Sequence, residues 1–254
     1  HLNATLDTTL LSDATLKINE RIATGVVRIA KRETGGQKLD GTLAFDEISL
    51  TEYITQGEPG TEAISDAMPG DVDIDLRISA DEIDTGRFIL GNVAAAIASN
   101  KQGWKFDIGN ANAFGGTLVA QISTDNLETG TQLSLKFNTR NSDASELESL
   151  IGTPEWTIDG TVDLKGDLRT QLSSETLSDL RFNGELEANS KDGTIDGIDL
   201  LNAFASIKDR RSGVLRGDAL VGETHFQTLE MKVFLKTVSY THKSKLYAHT
   251  YVHT

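Results

Sequence analysis

The chain has 254 residues, with 24 Lys or Arg against 38 Asp or Glu, for a formal net charge of -14. Such a surface repels nucleic-acid backbones and anionic membrane surfaces, so no nucleic-acid partner is expected. The length gives room for a buried core; 38% hydrophobic residues with 23 Gly and only 3 Pro read as folded and turn-rich, and the absence of Cys removes disulfides and thiolate chemistry.

Strands are expected from the first residues onward. The stretches "ATLKI" and "GTLAFDEISL" are strand-like, separated by a turn at "ETGG" near Gly35. Residues 1–56 therefore read as an N-terminal β segment of a longer sheet. The passage from Thr55 to Asp71 concentrates polar residues, Gly, Pro59 and Pro69, which places a linker or long loop at 57–70.

A main β region follows over 71–240. In "DVDIDLRIS", Val72, Ile74, Leu76 and Ile78 alternate with Asp71, Asp73, Asp75 and Arg77, the period of a strand with one dry and one wet face. The same rhythm recurs through Leu133, Leu135 and Phe137, and through Leu229, Met231, Val233 and Leu235. Turn residues at "KQG", "DNLETG" and "KDG" favour antiparallel pairing of neighbours. The most apolar window, Phe88 to Ser99, is interrupted by Gly91 and Asn92 and is shorter than the roughly 20 residues a membrane-spanning helix needs.

Three segments break the strand period and predict short helices: Asp143 to Gly152, Ser173 to Leu180, and Asp199 to Arg211. The last residues change character, with Lys236, Lys243 and Lys245, His242, His249 and His253, and no acid. Residues 241–254 are accordingly expected to be a disordered or non-native tail. The fold class that emerges is mainly β: an antiparallel, curved or groove-like sheet with a few short helices.

Catalytic and metal-binding readings are weak. Asp71, Asp73 and Asp75 share a strand face, but alternate strand positions diverge and do not converge on a cation, so they read as a solvated face. Asp81 with Asp84, and Asp192 with Asp196, are the kind of carboxylate pairs expected by chance among 38 acids. His225 lies in the patterned body without a nucleophile elbow nearby. No Walker or dinucleotide motif appears, and Phe114 to Gly116 reads as a tight hairpin or bulge. Trp104 and Trp156 flank strand starts, where the simpler role is to seal a sheet edge. No catalytic residue, metal or cofactor is expected.

From about Asp71 onward an ordered series of passages carries a more specific signal: "DIDLRISADEIDTGRFILGNVAAAI", "GWKFDIGNANAFGGTLVAQISTD", "IDGTVDLKGDL", "LSDLRFNGELEANSKDGTIDGIDLLNAF" and "THFQTLEM". The series resembles the C-terminal region of bacterial AsmA-like proteins. On that resemblance Phe114, Gly115 and Gly116 match an aromatic-Gly-Gly turn. Gly193, Ile195, Gly197, Asp199 and Leu200 match a Gly-x-Ile-x-Gly-x-Asp-Leu step into a short helix.

The resemblance implies a periplasmic envelope protein whose full-length form is anchored in the inner membrane. It also implies a role in outer-membrane assembly or phospholipid transport, with phospholipid and envelope proteins as partners. The family's anchor and further strands are not matched at the two ends of this sequence. A physical route without catalysis exists, because an uncovered apolar sheet face can shelter acyl chains. Leu133, Leu135, Phe137, Val162 and Leu164 are the candidate lipid-facing residues, with Asp73, Asp75 and Lys136 facing water. Periodicity alone does not separate that groove from a fully packed structural or protein-interaction domain without lipid cargo.

Overall fold

The computed structural model describes residues 2–18, 21–33, 35–50, 72–128, 130–151, 157–172, 181–197, 199, 222–238 and 243–253. They form one open sheet of 13 strands in chain order. The strands are β1 (Leu2–Ala4), β2 (Thr8–Ile18), β3 (Arg21–Lys31), β4 (Gln37–Ser49), β5 (Val72–Asp84), β6 (Ile89–Asn100), β7 (Gly103–Ala113), β8 (Gly116–Leu127), β9 (Gly130–Asp143), β10 (Thr157–Leu172), β11 (Asn183–Asp196), β12 (Glu223–Val238) and β13 (Lys243–His253). A helix, α1 (Ala144–Ile151), follows β9.

Every neighbouring pair is antiparallel except β4 and β5, which run parallel with Leu43 opposite Ile78 and Phe45 opposite Ala80. The sheet therefore continues unbroken between the N-terminal strands and the main β region. Leu76 of β5 packs against the cluster of Ala23, Val27 and Leu43 from β3 and β4.

The antiparallel order gives the sheet two unlike rims. At one, called here the helix rim, β5 turns into β6, β7 into β8 and β9 into β10 through α1. At the other, the turn rim, β6 passes to β7 and β8 to β9 through short turns. The expected helix at Asp143 to Gly152 is α1; those at 173–180 and 200–211 lie outside the described residues, as does the linker at 57–70.

Asp143 starts α1: its Oδ1 accepts hydrogen bonds from Ser145 N at 2.8 Å and Ser145 Oγ at 2.6 Å. These bonds satisfy a helix N-terminus and hold the Asp143 carboxyl below the usual carboxylate range, the Ser145 hydroxyl being the largest cause. The Glu148 carboxylate accepts the Ile158 N–H, tying the helix to the start of β10.

Bulges recur along the sheet, in β2, β6, β7, β9 and β11. Four of the five strands hold an Asx residue at positive φ: Asp13 (50°), Asn92 (49°), Asn141 (53°) and Asp192 (50°). Short polar side chains tolerate this left-handed region better than others. The "KDG" segment is one of these sites. It was expected to be a turn between strands, but Asp192 sits inside β11, because the Asx-Gly chemistry that closes a turn also accommodates a bulge.

The C-terminal residues differ from one half of a second expectation, that of a disordered or non-native tail: 243–253 form β13, paired with β12 from Val238 opposite Lys243 to Thr228 opposite His253.

Candidate functional site

The register across the sheet lines up apolar residues strand after strand. Leu2, Leu11, Val27, Gly41, Leu76, Ile97, Phe106, Ile122, Leu135, Leu168, Gly184 and Leu235 are successive partners from β1 to β12. Two residues along, a second row runs through Ala14, Gly25, Leu43, Ile78, Ala95, Ile108, Ala120, Phe137, Gly166, Leu186 and Val233. Partners across a sheet share a face, so both rows lie on one face, and neither holds a polar side chain. At about 4.8 Å per strand, the first row extends over roughly 50 Å.

The opposite face is wet. Arg28 forks onto Asp40, with three N–O distances of 2.9–3.1 Å, and Arg77 meets Asp75 at 2.8 Å. Lys136 reaches Asp167 at 3.2 Å. Lys232 lies between Glu185 at 2.7 Å and Glu187 at 2.6 Å. The hydrogen bond to Glu185, then that to Glu187, raises the Lys232 ammonium above its ordinary value. Alternation between bulges thus gives most strands one polar or charged side and one largely apolar side.

The five candidate lipid-facing residues all fall on the dry face, on adjacent strands. Leu133 is opposite Thr170, Leu135 opposite Leu168, Phe137 opposite Gly166, Leu164 opposite Thr139 and Val162 opposite Ser142. All five are half-buried. The described residues form a single sheet, so no second sheet among them packs on this face. Periodicity in single strands located these five. The cross-strand register that joins them to Leu76, Ile97, Phe106 and Ile122 was not visible in any one strand.

The family-motif residues lie at the helix rim. Phe114 (φ 54°) and Gly115 (φ 69°) form the two-residue turn between Ala113 and Gly116. A side chain at Gly116 would run into the backbone of Arg140 and Asn141. Phe114 is buried, 5.0 Å from Phe88 between ring centroids, and its carbonyl accepts the Asp143 N–H at 2.7 Å.

Gly193 lies under Phe226, whose Cζ would be 2.5 Å from a Cβ there. Ile195 is buried with Phe226 and Leu229, Gly197 has φ 92°, and Asp199 packs against Gly222. Leu200 lies outside the described residues. These residues shape and close the rim and do not gather around one point.

The weak catalytic candidates are dispersed. Asp73 pairs with Arg32 at 2.6 Å. Asp84 accepts the Gly86 N–H in the β5–β6 turn. His225 is an exposed wet-face residue 3.2 Å from Thr194 Oγ1 and 3.6 Å from Glu223. Asp71 and Trp156 lie outside the described residues, and Trp104 is half-buried on the dry face, opposite Ser99.

Two depressions mark the surface. One of about 650 Å³ is lined mainly by wet-face charges of β10 and β11, including Lys165, Asp167 and Glu187, and reaches Gly184 and Leu235 at the end of the first dry row. Another of about 640 Å³ surrounds the Phe114 turn. The cations Lys165 and Arg169 of the first are in ion pairs with Glu187 and Asp167. Among the described residues no group of three or more His, Asp or Glu is placed to hold a metal ion. No helix among them is long and apolar enough to cross a membrane.

An open sheet with one long dry face and one charged face is the scaffold of a protein that offers a surface along its length. The sequence model of the AsmA family matches residues 55–243, and the chain belongs to that family. No curated protein and no solved structure matches the chain. The AsmA family is associated with the bacterial envelope, with its assembly and with lipid transport, and it is not a known enzyme family.

Proposed function

We propose that this chain is a noncatalytic periplasmic module that shelters phospholipid acyl chains on its dry face, in phospholipid transport or in outer-membrane assembly and maintenance. The observation that carries the reading is the uninterrupted apolar row from Leu2 to Leu235. A track without a polar side chain suits an aliphatic chain, for which each buried CH₂ contributes about 0.8 kcal/mol. Protein interfaces, in contrast, concentrate Trp, Tyr and Arg anchors with a polar rim, and the row contains none of the three. The family's association with lipid transport agrees with the same occupant.

Native mass spectrometry of the purified chain, followed by lipid extraction and challenge with added phospholipid, tests the proposal. Reproducible phospholipid adducts are the expected result. A folded chain that carries no lipid and takes up none when challenged would overturn it in favour of a packed structural or protein-interaction domain.

A further inference from the structure

The dry face is covered unevenly from rim to rim. Toward the helix rim, Phe114 joins Val93, Ile108 and Leu118 in a cluster whose members are 9% exposed or less, with Phe88 and Leu147 of α1 packed on it. Further along the same rim Ile195, Phe226 and Leu229 form a second closed cluster. Toward the turn rim, Ile74, Trp104, Ile122, Leu133, Leu172 and Leu235 are only half-buried. The bulges explain part of this contrast. Each shifts the pleat by one residue, so that apolar spacing becomes three, as from Ile108 to Ala111, and side chains beyond the bulge pack at the rim.

We infer that the trough is one-sided: phospholipid acyl chains enter across the turn rim and lie against the half that contains Trp104, while the helix-rim half stays closed. The inference rests on the lipid reading above and adds the side from which the site is filled. Entry at the helix rim would have to part the Phe88–Phe114 pair and the bond from Asp143 N to the Phe114 carbonyl. It would also displace a cluster packed at interior density. At the turn rim from β6 to β12 an aliphatic chain meets half-buried apolar side chains, with Ser99, Thr124 and Thr170 buried between them, and no buried hydrophobic cluster like that around Phe114 has to open there.

The chain has two Trp residues, so Trp156→Phe leaves Trp104 as the sole reporter. In the companion variant, Trp104→Phe, Trp156→Phe and Phe88→Trp together put the reporter at the helix rim. Leu147→Trp in place of Phe88→Trp serves if that variant does not fold. Each 254-residue chain is loaded with phosphatidylethanolamine brominated along its acyl chains, and emission is compared with the unbrominated lipid.

Trp104 is expected to lose the larger part of its emission, and the helix-rim reporter to keep nearly all of its own. Equal quenching at both rims, or stronger quenching at the helix rim, would overturn the one-sided trough and leave the lipid reading intact. Failure of either chain to retain lipid would overturn both.

Discussion

The ring of Phe137 on β9 lies across Gly166 on β10. The two are register partners, and a Cβ at position 166 would come within 2.6 Å of Phe137 Cζ and 3.0 Å of Leu186 Cδ2. The absent side chain is thus filled by a neighbour's ring, and Phe226 over Gly193 repeats the arrangement. Such pairs let a glycine persist in the middle of a strand, where it otherwise weakens the sheet.

Replacing Gly166 by Ala should therefore force the Phe137 ring away from the sheet and destabilise the protein by about 1–3 kcal/mol. In a Phe137→Leu background the same substitution should cost less, so the double-mutant cycle from urea unfolding should be clearly non-additive. Additive costs would mean that ring and glycine are not energetically linked.

The dry row makes a second prediction through Leu135, half-buried between Ile122 and Leu168. An amide in an apolar track has no hydrogen-bond partner once an acyl chain covers it. Leu135→Asn should sharply reduce phospholipid retention measured by native mass spectrometry. The neighbouring Lys136→Gln, on the wet face beside Asp167, should leave retention unchanged. Equal loss in both variants would argue against a face-specific site.

Asn92 offers a test of the bulges. At φ 49° it occupies the left-handed region inside β6, where a β-branched side chain is strained. Asn92→Val should destabilise by about 1–2 kcal/mol, and Asn92→Gly should be tolerated because glycine adopts that conformation freely. Thermal unfolding of the two variants decides it: a valine as stable as the glycine would show that the bulge does not depend on the left-handed residue.

Much of this architecture was legible in the sequence because alternation is written residue by residue. The period from Val72 to Ile78 and from Leu133 to Phe137 assigned both strand and face, and Asp143 with its following Ser marked α1. Partner direction is not written that way: nothing in "GTLAFDEISL" or "DVDIDLRIS" says that β4 and β5 lie parallel.

Bulges hid as well, since spacing by three between Ile108 and Ala111 interrupts a period that then resumes out of phase. At the C-terminus the composition drew attention from a usable signal. Leu246, Ala248 and Val252 alternate with Tyr247, His249 and Tyr251, and the register sets the first three against Leu235, Val233 and Leu229. The candidate site was legible only in part, because a row across twelve strands depends on register, which a single strand does not contain.

The start of α1 adds a pH dependence. Asp143→Ala should cost about 1 kcal/mol at neutral pH, the usual value of an N-cap, and should loosen the helix that carries Leu147 onto the rim cluster. The Asp143 carboxyl is held below its ordinary value in the folded protein, so in acid this site binds fewer protons in the folded than in the unfolded chain. That stabilisation is complete above the unfolded carboxylate value of about 4 and is lost as pH falls through the lower folded value. Urea unfolding should accordingly show a constant gap between wild type and Asp143→Ala from pH 5 to pH 8, narrowing only in acid. A gap unchanged far below the carboxylate range would show that the cap works through its hydrogen bonds alone, without the charge.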